Sequence, residues 1–263
     1  RALQAAMFRV SDKLAECTLN IDAPQIEKID SDPKPGLPGF VFVPMLASPE
    51  HRMGATSSMG TAVYGVTRLT QPWFLGPTEM LDGAVAGTYG AGYVTWPLTN
   101  SIAMHMARNH GRKFNFLGSI VVRTNWESQA DKQLMASRAA QLAQIIGATG
   151  AIVTTNVRGQ RFAETILTVQ ALEQAGISVV LLTEEEDDEN GNASPILIPV
   201  PELISVVSTG TGGTDYPSPP VDKVIGGFGD SRWFDEQPSV HGRYGISHTA
   251  DVYGFTNRSC LDY

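Results

Sequence analysis

Five short runs of apolar residues recur along the chain and have the length of buried β-strands. They are apolar throughout instead of alternating, as in strands whose two faces are both covered. The runs lie at residues 40–46, 116–122, 151–155, 177–183 and 203–209.

The segments between these runs have the three- and four-residue apolar spacing of amphipathic helices. One predicted helix is capped by Asn100 and ends at Gly111, and two more cover residues 127–146 and 160–175. The residues expected to face the core are Ala130, Leu134, Leu142 and Ile145 in the second helix and Phe162, Ile166, Val169 and Leu172 in the third. Buried strands alternating with helices predict the α/β class, as a layered Rossmann- or flavodoxin-like domain with a largely parallel sheet.

The chain is expected to have three parts. Residues 1–39 hold a helical pattern followed by a proline-rich linker, and because the pattern is already under way at Arg1, we expect a longer chain upstream. Residues 40–216 form the α/β domain. Residues 217–263 are rich in Gly, Pro and aromatic residues and are expected to wrap around the body as irregular structure.

The net charge and the cysteine content argue against several classes of partner and site. A net charge of -8 and a pI near 5.1 argue against nucleic acid or an anionic membrane as a partner. No apolar run approaches the roughly 18 residues of a membrane span. Cys17 and Cys260 have neither metal-ligand spacing nor the pattern of a disulfide framework. We therefore expect a cytoplasmic protein without a metal site.

Polar residues follow several of the predicted strands. In a parallel sheet the strand ends share one edge, where ligands bind. The candidate binding residues at this edge are Asn125, Asn156, Arg158, Thr183, Glu184 and Thr209. Together they suit a small polar molecule, whose carboxylate Arg158 would hold. The alternative is that the threonines and asparagines only cap helices and form turns.

A glycine-rich stretch, residues 76–97, contains the candidate catalytic residues. Glu79 and Asp82 are three residues apart and would face one side of a helical segment, where they could act as acid and base. Thr88 offers a hydroxyl, and Tyr89 could stack on a ligand. The alternative is that Asp82 and Gly83 only form a turn.

Several segments resemble a known family. They are TEMLDGAVAG (78–87), RNHGRKFNFLGSIVV (108–122), AIVTTN (151–156), TVQALEQAGISVVLLTEEEDDENGNA (168–193) and VDKVIGGFG (221–229). Together they resemble the proprotein subunit of component B of glycine, sarcosine and betaine reductases, a group to which D-proline reductase is related. The resemblance covers most of the chain.

The resemblance implies a pyruvoyl enzyme. In the family, a proprotein is cut beside a cysteine that becomes a pyruvoyl group, which captures the substrate amine. A selenocysteine-containing partner then cleaves the C–N bond reductively. At the corresponding place this chain reads AGTYGAGY (86–93), with neither Cys nor Ser, and Thr88 is the β-hydroxyl residue there. We therefore expect an uncut chain without pyruvoyl or another cofactor.

Three functions remain open at this point. The first is a reductase-type enzyme or subunit that acts on a small amine or amino-acid-like substrate, as a homo-oligomer or with another subunit. The second is a repurposed hydrolase, lyase or isomerase that uses Glu79, Asp82, Thr88 and a bound water. The third is a non-catalytic subunit of a larger complex.

Overall fold

The structure is a computed structural model, and it describes residues 9–10, 12–22, 26–47, 70–80, 95–124, 126–155, 160–185, 196, 198–211, 215–217 and 239–241. The chain divides into two compact units, Arg1–Asp30 and Ser31–Tyr263. In the first unit, residues 9–10 and 12–16 are helical, and Lys13 pairs with Glu16 one turn later. The predicted boundaries near residues 39 and 216 stay predictions.

A six-stranded, mostly parallel sheet forms the centre of the second unit. Its strands are β1 (Gly39–Ala47), β2 (Trp73–Leu75), β3 (Asn115–Thr124), β4 (Gly150–Thr154), β5 (Ser178–Glu185) and β6 (Val206–Thr211). Their order across the sheet is β2-β3-β1-β4-β5-β6. All neighbouring pairs are parallel except β2 and β3. The five predicted strands are therefore confirmed, as are their parallel directions.

The helices described between these strands are α1 (Thr95–Asn109), α2 (Gln129–Ile145) and α3 (Gln160–Gln174). The prediction that Asn100 caps α1 is wrong, because the helix begins at Thr95. Pro97 is tolerated there since the N–H groups of a first helical turn have no intrahelical partner. At the end of α2, Gly147 has a φ of 77°, and the Ala148 N–H reaches back to the Ala143 carbonyl at 2.9 Å, which stops the helix.

The main hydrophobic core lies between the sheet and helices α2 and α3. Alternate residues of β1, namely Val41, Val43 and Met45, face this core. On the opposite face of β1, Phe42 and Leu46 are buried too, and α1 packs against β1 and β3. Both faces of the sheet are therefore covered, which explains why its strands are apolar throughout.

The predicted core face is confirmed for α3 but largely wrong for α2. In α3, all four predicted residues are buried. In α2, Ala130 is exposed, as are Leu134 (47%) and Ile145 (79%), and Leu142 is only partly buried. The buried residues are instead Lys132, Met135, Ala136, Ala139, Ala140 and Ala143. A stripe of small alanines lets α2 lie close to its neighbours, and large residues would not fit there.

The connection from β5 to β6 packs against α3. The partly buried residues Ile196, Ile198, Val200 and Leu203 lie against the main core. The Leu203 N–H bonds the Val200 carbonyl at 3.1 Å, so the sixth strand begins at Val206, later than the apolar run indicated. Hydrogen bonds from the side chains of Gln170 and Gln174 lower the pKa of Glu202, which fastens this segment to α3.

Asn115 ties the segment before β1 to the first residue of β3. Its side chain accepts a hydrogen bond from the Lys34 N–H at 2.8 Å and donates to the Lys34 and Leu37 carbonyls at 2.8 and 3.3 Å. His110 adds two more contacts: its Nε2 lies 2.9 Å from the Asp32 carbonyl, and its Nδ1 accepts the Phe116 N–H at 3.0 Å. The start of β1 is therefore fixed beside the start of β3.

The few described residues of the C-terminal part differ from the irregular structure that we expected. Residues Asp215–Pro217 (β7) pair antiparallel with Ser239–His241 (β8). Both strands are three residues long, too short to carry an apolar pattern that a sequence would reveal. No helix in the described part of the chain is long and apolar enough to span a membrane.

Candidate functional site

The carboxyl ends of the parallel strands lie along one edge of the sheet. At this edge Ala47 of β1 pairs with Thr124 of β3, and Pro44 of β1 pairs with Thr154 of β4. β3 lies on one side of β1, and the next strand along the chain, β4, lies on the other side. The strand order therefore reverses at β1. Ligands of open parallel sheets bind outside the carboxyl ends at such a reversal. This edge, called the carboxyl edge below, is therefore the candidate site.

Buried threonines follow the strands at the carboxyl edge. The Thr165 hydroxyl of α3 donates to the Thr155 hydroxyl at 3.0 Å, and the Thr124 hydroxyl donates to the Leu46 carbonyl at 3.2 Å. These bonds hold α3 against the end of β4 and β3 against β1. The Thr154 hydroxyl is buried and has no hydrogen-bond partner among the described residues. This hydroxyl is therefore available for a further hydrogen bond beside β1, where the strand order reverses.

A buried carboxylate anchors the connection between β3 and α2. Glu164 of α3 is 3% exposed, and its Oε1 accepts the Trp126 N–H at 2.8 Å. The Trp126 indole N–H donates to the Arg123 carbonyl at 2.9 Å, and the Arg123 guanidinium lies 4.4 Å from the centre of the indole ring. A carboxyl group is thereby held at the carboxyl edge, next to the start of α2.

Helix α2 begins at the same edge and carries a buried lysine. Its N-cap Ser128 accepts the Asp131 N–H at 3.0 Å, which satisfies one of the free donors of the first turn. Lys132 follows in that turn and is only 7% exposed. It is the first residue of the buried stripe that continues with Met135 and Ala136.

Sequence reasoning missed Lys132 and Glu164. The available signal was the helical register of Lys132 with an apolar stripe, because the residues three, four, seven and eight positions later are Met135, Ala136, Ala139 and Ala140. Glu164 is buried although it lies off the apolar face of α3. No periodicity within α3 could have shown that burial.

Only part of the predicted site lies in the described structure. Thr183 is in β5 and is 2% exposed, at the carboxyl edge as expected. Glu184 and Thr209 lie in β5 and β6, and only their backbone is described. The other predicted residues, Asp82, Thr88, Tyr89, Asn125, Asn156 and Arg158, lie outside the described residues. The roles assigned to all of these residues stay predictions.

Glu79 is described, and its contacts are local. It follows β2, and its carboxylate accepts the Gly76 N–H, while its own N–H bonds the Gly76 carbonyl at 3.2 Å. Because β2 runs antiparallel to β3, the chain leaves β2 in the direction of the amino ends of the parallel strands. An acid–base role for Glu79 therefore depends on how the following residues return to the carboxyl edge.

The residues present do not fit the prosthetic group that the resemblance implies. Formation of a pyruvoyl group needs a Ser or Cys whose side chain can be eliminated, and residues 86–93 contain neither. That stretch lies outside the described residues. Within the described ranges, no three His, Cys, Asp or Glu side chains come together as a group that could hold a metal ion.

Comparison with known proteins identifies the family. The model of the glycine/sarcosine/betaine reductase component B subunits matches residues 1–236. The chain belongs to this family. The resemblance found in the sequence is therefore confirmed.

Individual relatives agree with the family match. The betaine reductase complex component B subunit alpha of Peptoclostridium acidaminophilum is 29% identical over 240 residues, which are 86% of this chain and 53% of the relative. The sarcosine reductase complex component B subunit alpha of the same organism is 29% identical over 202 residues, 73% of this chain and 45% of the relative. The glycine reductase complex component B subunits alpha and beta of Acetoanaerobium sticklandii are 25% identical over 240 residues, which are 86% of this chain and 54% of the relative.

The chain spans about half the length of these curated relatives. No solved structure matches it.

Proposed function

We propose that this chain is a subunit of a component B-type reductase and that it acts on a small amine or amino-acid-like substrate. The family match over residues 1–236 carries the proposal. The names of the relatives supply the substrate class, because they belong to betaine, sarcosine and glycine reductase complexes. The reaction would be the reductive cleavage of the C–N bond, with electrons from another component of the complex.

The proposed binding site is the carboxyl edge near the reversal at β1. The proposal includes a Rossmann- or flavodoxin-like layering, which the order of the parallel strands supports. The buried threonines and Glu164 supply polar groups at this edge. Arg158 would hold a substrate carboxylate, helped by Asn125 and Asn156.

The residues of the 76–97 stretch would complete the site. Asp82 would supply an acid–base group, and Tyr89 would close over the ligand, whereas Glu79 follows β2 towards the amino ends of the parallel strands and bonds the Gly76 N–H. The chain would work without a pyruvoyl group and without a cut at Gly87–Thr88, since residues 86–93 have neither Ser nor Cys. Without that carbonyl, the substrate amine would be held by charge and hydrogen bonds instead of a covalent bond.

The proposal also includes a larger assembly in the cytoplasm. Because the chain covers about half of its relatives, the complete enzyme would need further protein, either more of the same polypeptide or another subunit. Homo-oligomers of the chain are compatible with this arrangement. Cys17 is an exposed free thiol, which suits a reducing compartment.

Substrate-dependent amine release tests the proposal. The full-length protein would be combined with the electron-donating components of its complex and given glycine, sarcosine or betaine. The expected products are ammonia, methylamine and trimethylamine, respectively. An assembly that releases no amine from any of the three, while its partner components remain active with a known component B, would overturn the proposal.

A further inference from the structure

Lys132 is a buried basic residue whose ammonium has no ion-pair partner among the described residues. It is 7% exposed, and it occupies the first position of the buried stripe on α2. The next residues of that stripe, Met135, Ala136 and Ala139, belong to the core or are buried with it. A lysine at such a position buries its four-carbon stem among apolar neighbours, which is favourable, and holds its ammonium at the surface beside them, where an anion can pair with it.

The ammonium of Lys132 is reachable from solvent. No salt bridge joins it to a carboxylate in the described part of the chain. Its nitrogen is also not among the fully enclosed polar atoms that lack a hydrogen-bond partner. The stem is therefore buried, while the ammonium keeps access to solvent and so to a ligand.

Lys132 and Glu164 lie at the same end of the α2–α3 helix pair. The β3–α2 connection, which Glu164 holds through the Trp126 N–H at 2.8 Å, leads within a few residues to Lys132. Helices α2 and α3 pack side by side, and both begin at the carboxyl edge because each follows a parallel strand. The two side chains thus lie at one edge of the sheet without forming an ion pair with each other.

We propose that Lys132 is a further contact for the carboxylate of a small zwitterion at the carboxyl edge, in addition to the contact proposed above for Arg158, and that the carboxylate of Glu164 favours the positive end of that zwitterion. The class of ligand rests on the proposed function, and the inference adds the two residues that select this ligand. Lys132 attracts any small carboxylate. Glu164 disfavours a plain anion and favours a ligand that also carries a cationic nitrogen.

A purely structural role makes a different prediction. A lysine that only covers apolar surface with its stem can be replaced by methionine, whose side chain is similar in length and unbranched, without any effect on ligand binding. The variant Lys132→Met therefore separates the two roles. Lys113→Met is the matched control, because Lys113 is an exposed lysine in the turn between α1 and β3, at the opposite edge of the sheet.

The test is titration calorimetry of the full-length protein with glycine, sarcosine, betaine and acetate. We expect Lys132→Met to weaken binding of every ligand by at least about tenfold, as loss of a charge-assisted contact would, and Lys113→Met to leave binding unchanged. A second variant, Glu164→Gln, keeps an oxygen for the Trp126 N–H. It should reduce the preference for the zwitterions over acetate.

The outcomes separate this inference from the proposed function. If Lys132→Met is folded and binds the ligands as tightly as the wild type does, the inference is overturned. Wild-type protein that binds neither acetate nor the zwitterions overturns it as well. Lys132-dependent binding without any amine release from the assembled complex would support the binding site and refute the reductase function.

Discussion

Replacement of Asn115 by alanine should destabilise the α/β unit by an amount that the structure allows us to calculate. The Asn115 side chain is 5% exposed and makes three hydrogen bonds to the backbone of residues 34–37, at 2.8, 2.8 and 3.3 Å. Each such bond contributes about 0.5–1.5 kcal/mol, and the longest one contributes least. We therefore expect Asn115→Ala to lower the free energy of unfolding by about 2–3 kcal/mol.

The assay is thermal and urea-induced unfolding followed by circular dichroism. A loss of about 2–3 kcal/mol corresponds to a Tm lower by about 4–12 °C for a protein of this size. Asn115→Asp keeps the acceptor for the Lys34 N–H but loses both donors and places a charge near two carbonyls. It should be at least as destabilising as Asn115→Ala at neutral pH.

Asn109→Ala is the control for this experiment. The Asn109 side chain makes one exposed hydrogen bond, to the His105 carbonyl at 2.8 Å within its own helix, so its loss should change the free energy of unfolding by less than about 0.5 kcal/mol. If Asn115→Ala is no more destabilising than Asn109→Ala, the segment before β1 is not held as described, and the reasoning is refuted.

Two further predictions concern the sheet edge and the 76–97 stretch. Gly118→Ala should destabilise the protein by about 2 kcal/mol or more, because Gly118 has a φ of 133° and an added Cβ would lie 2.3 Å from the Leu75 carbonyl oxygen; an unfolding curve that matches the wild type would show that β2 does not pair there. Intact-mass spectrometry of the full-length protein should find an unbroken Gly87–Thr88 bond, whereas a fragment beginning at residue 88 with a blocked amino terminus would show that the chain is processed after all.

The sequence was sufficient to predict the central sheet. Strands buried on both faces cannot alternate between polar and apolar residues, so runs such as 116–122 and 177–183 have few other interpretations when helices separate them. The parallel direction followed from the helical length of the connections. Elements of three residues, such as β2, carry too little pattern for prediction, because their pairing depends on contacts distant in sequence.

The helix faces were less predictable than the helices themselves. Large apolar residues such as Leu134 and Ile145 suggested the core face of α2, yet the close approach of α2 to its neighbours selects small residues. The periodicity of α2 therefore supports two faces, and only the packing decides between them. In α3 the large apolar residues, among them Phe162 and Ile166, are themselves the core face, and there the prediction is confirmed.

The arrangement of the strand ends at the carboxyl edge was predictable, whereas the binding site placed there stays a prediction. The rule that ligands bind at the carboxyl ends of parallel strands led to Thr183, which the structure places at that edge. Lys132 and Glu164 were not found because charged residues in helices are normally exposed. Their burial depends on tertiary packing, which a single sequence does not show.

Amine release by the assembled complex tests the central claim most directly. The full-length protein, whose backbone is first verified as uncut by mass, would be incubated with its electron-donating partners and one of glycine, sarcosine or betaine. Our account predicts release of the corresponding amine, dependent on both the partners and the substrate, and its loss in Lys132→Met but not in Lys113→Met. Absence of amine release with all three substrates, in a complex whose partners are demonstrably active, would contradict the account.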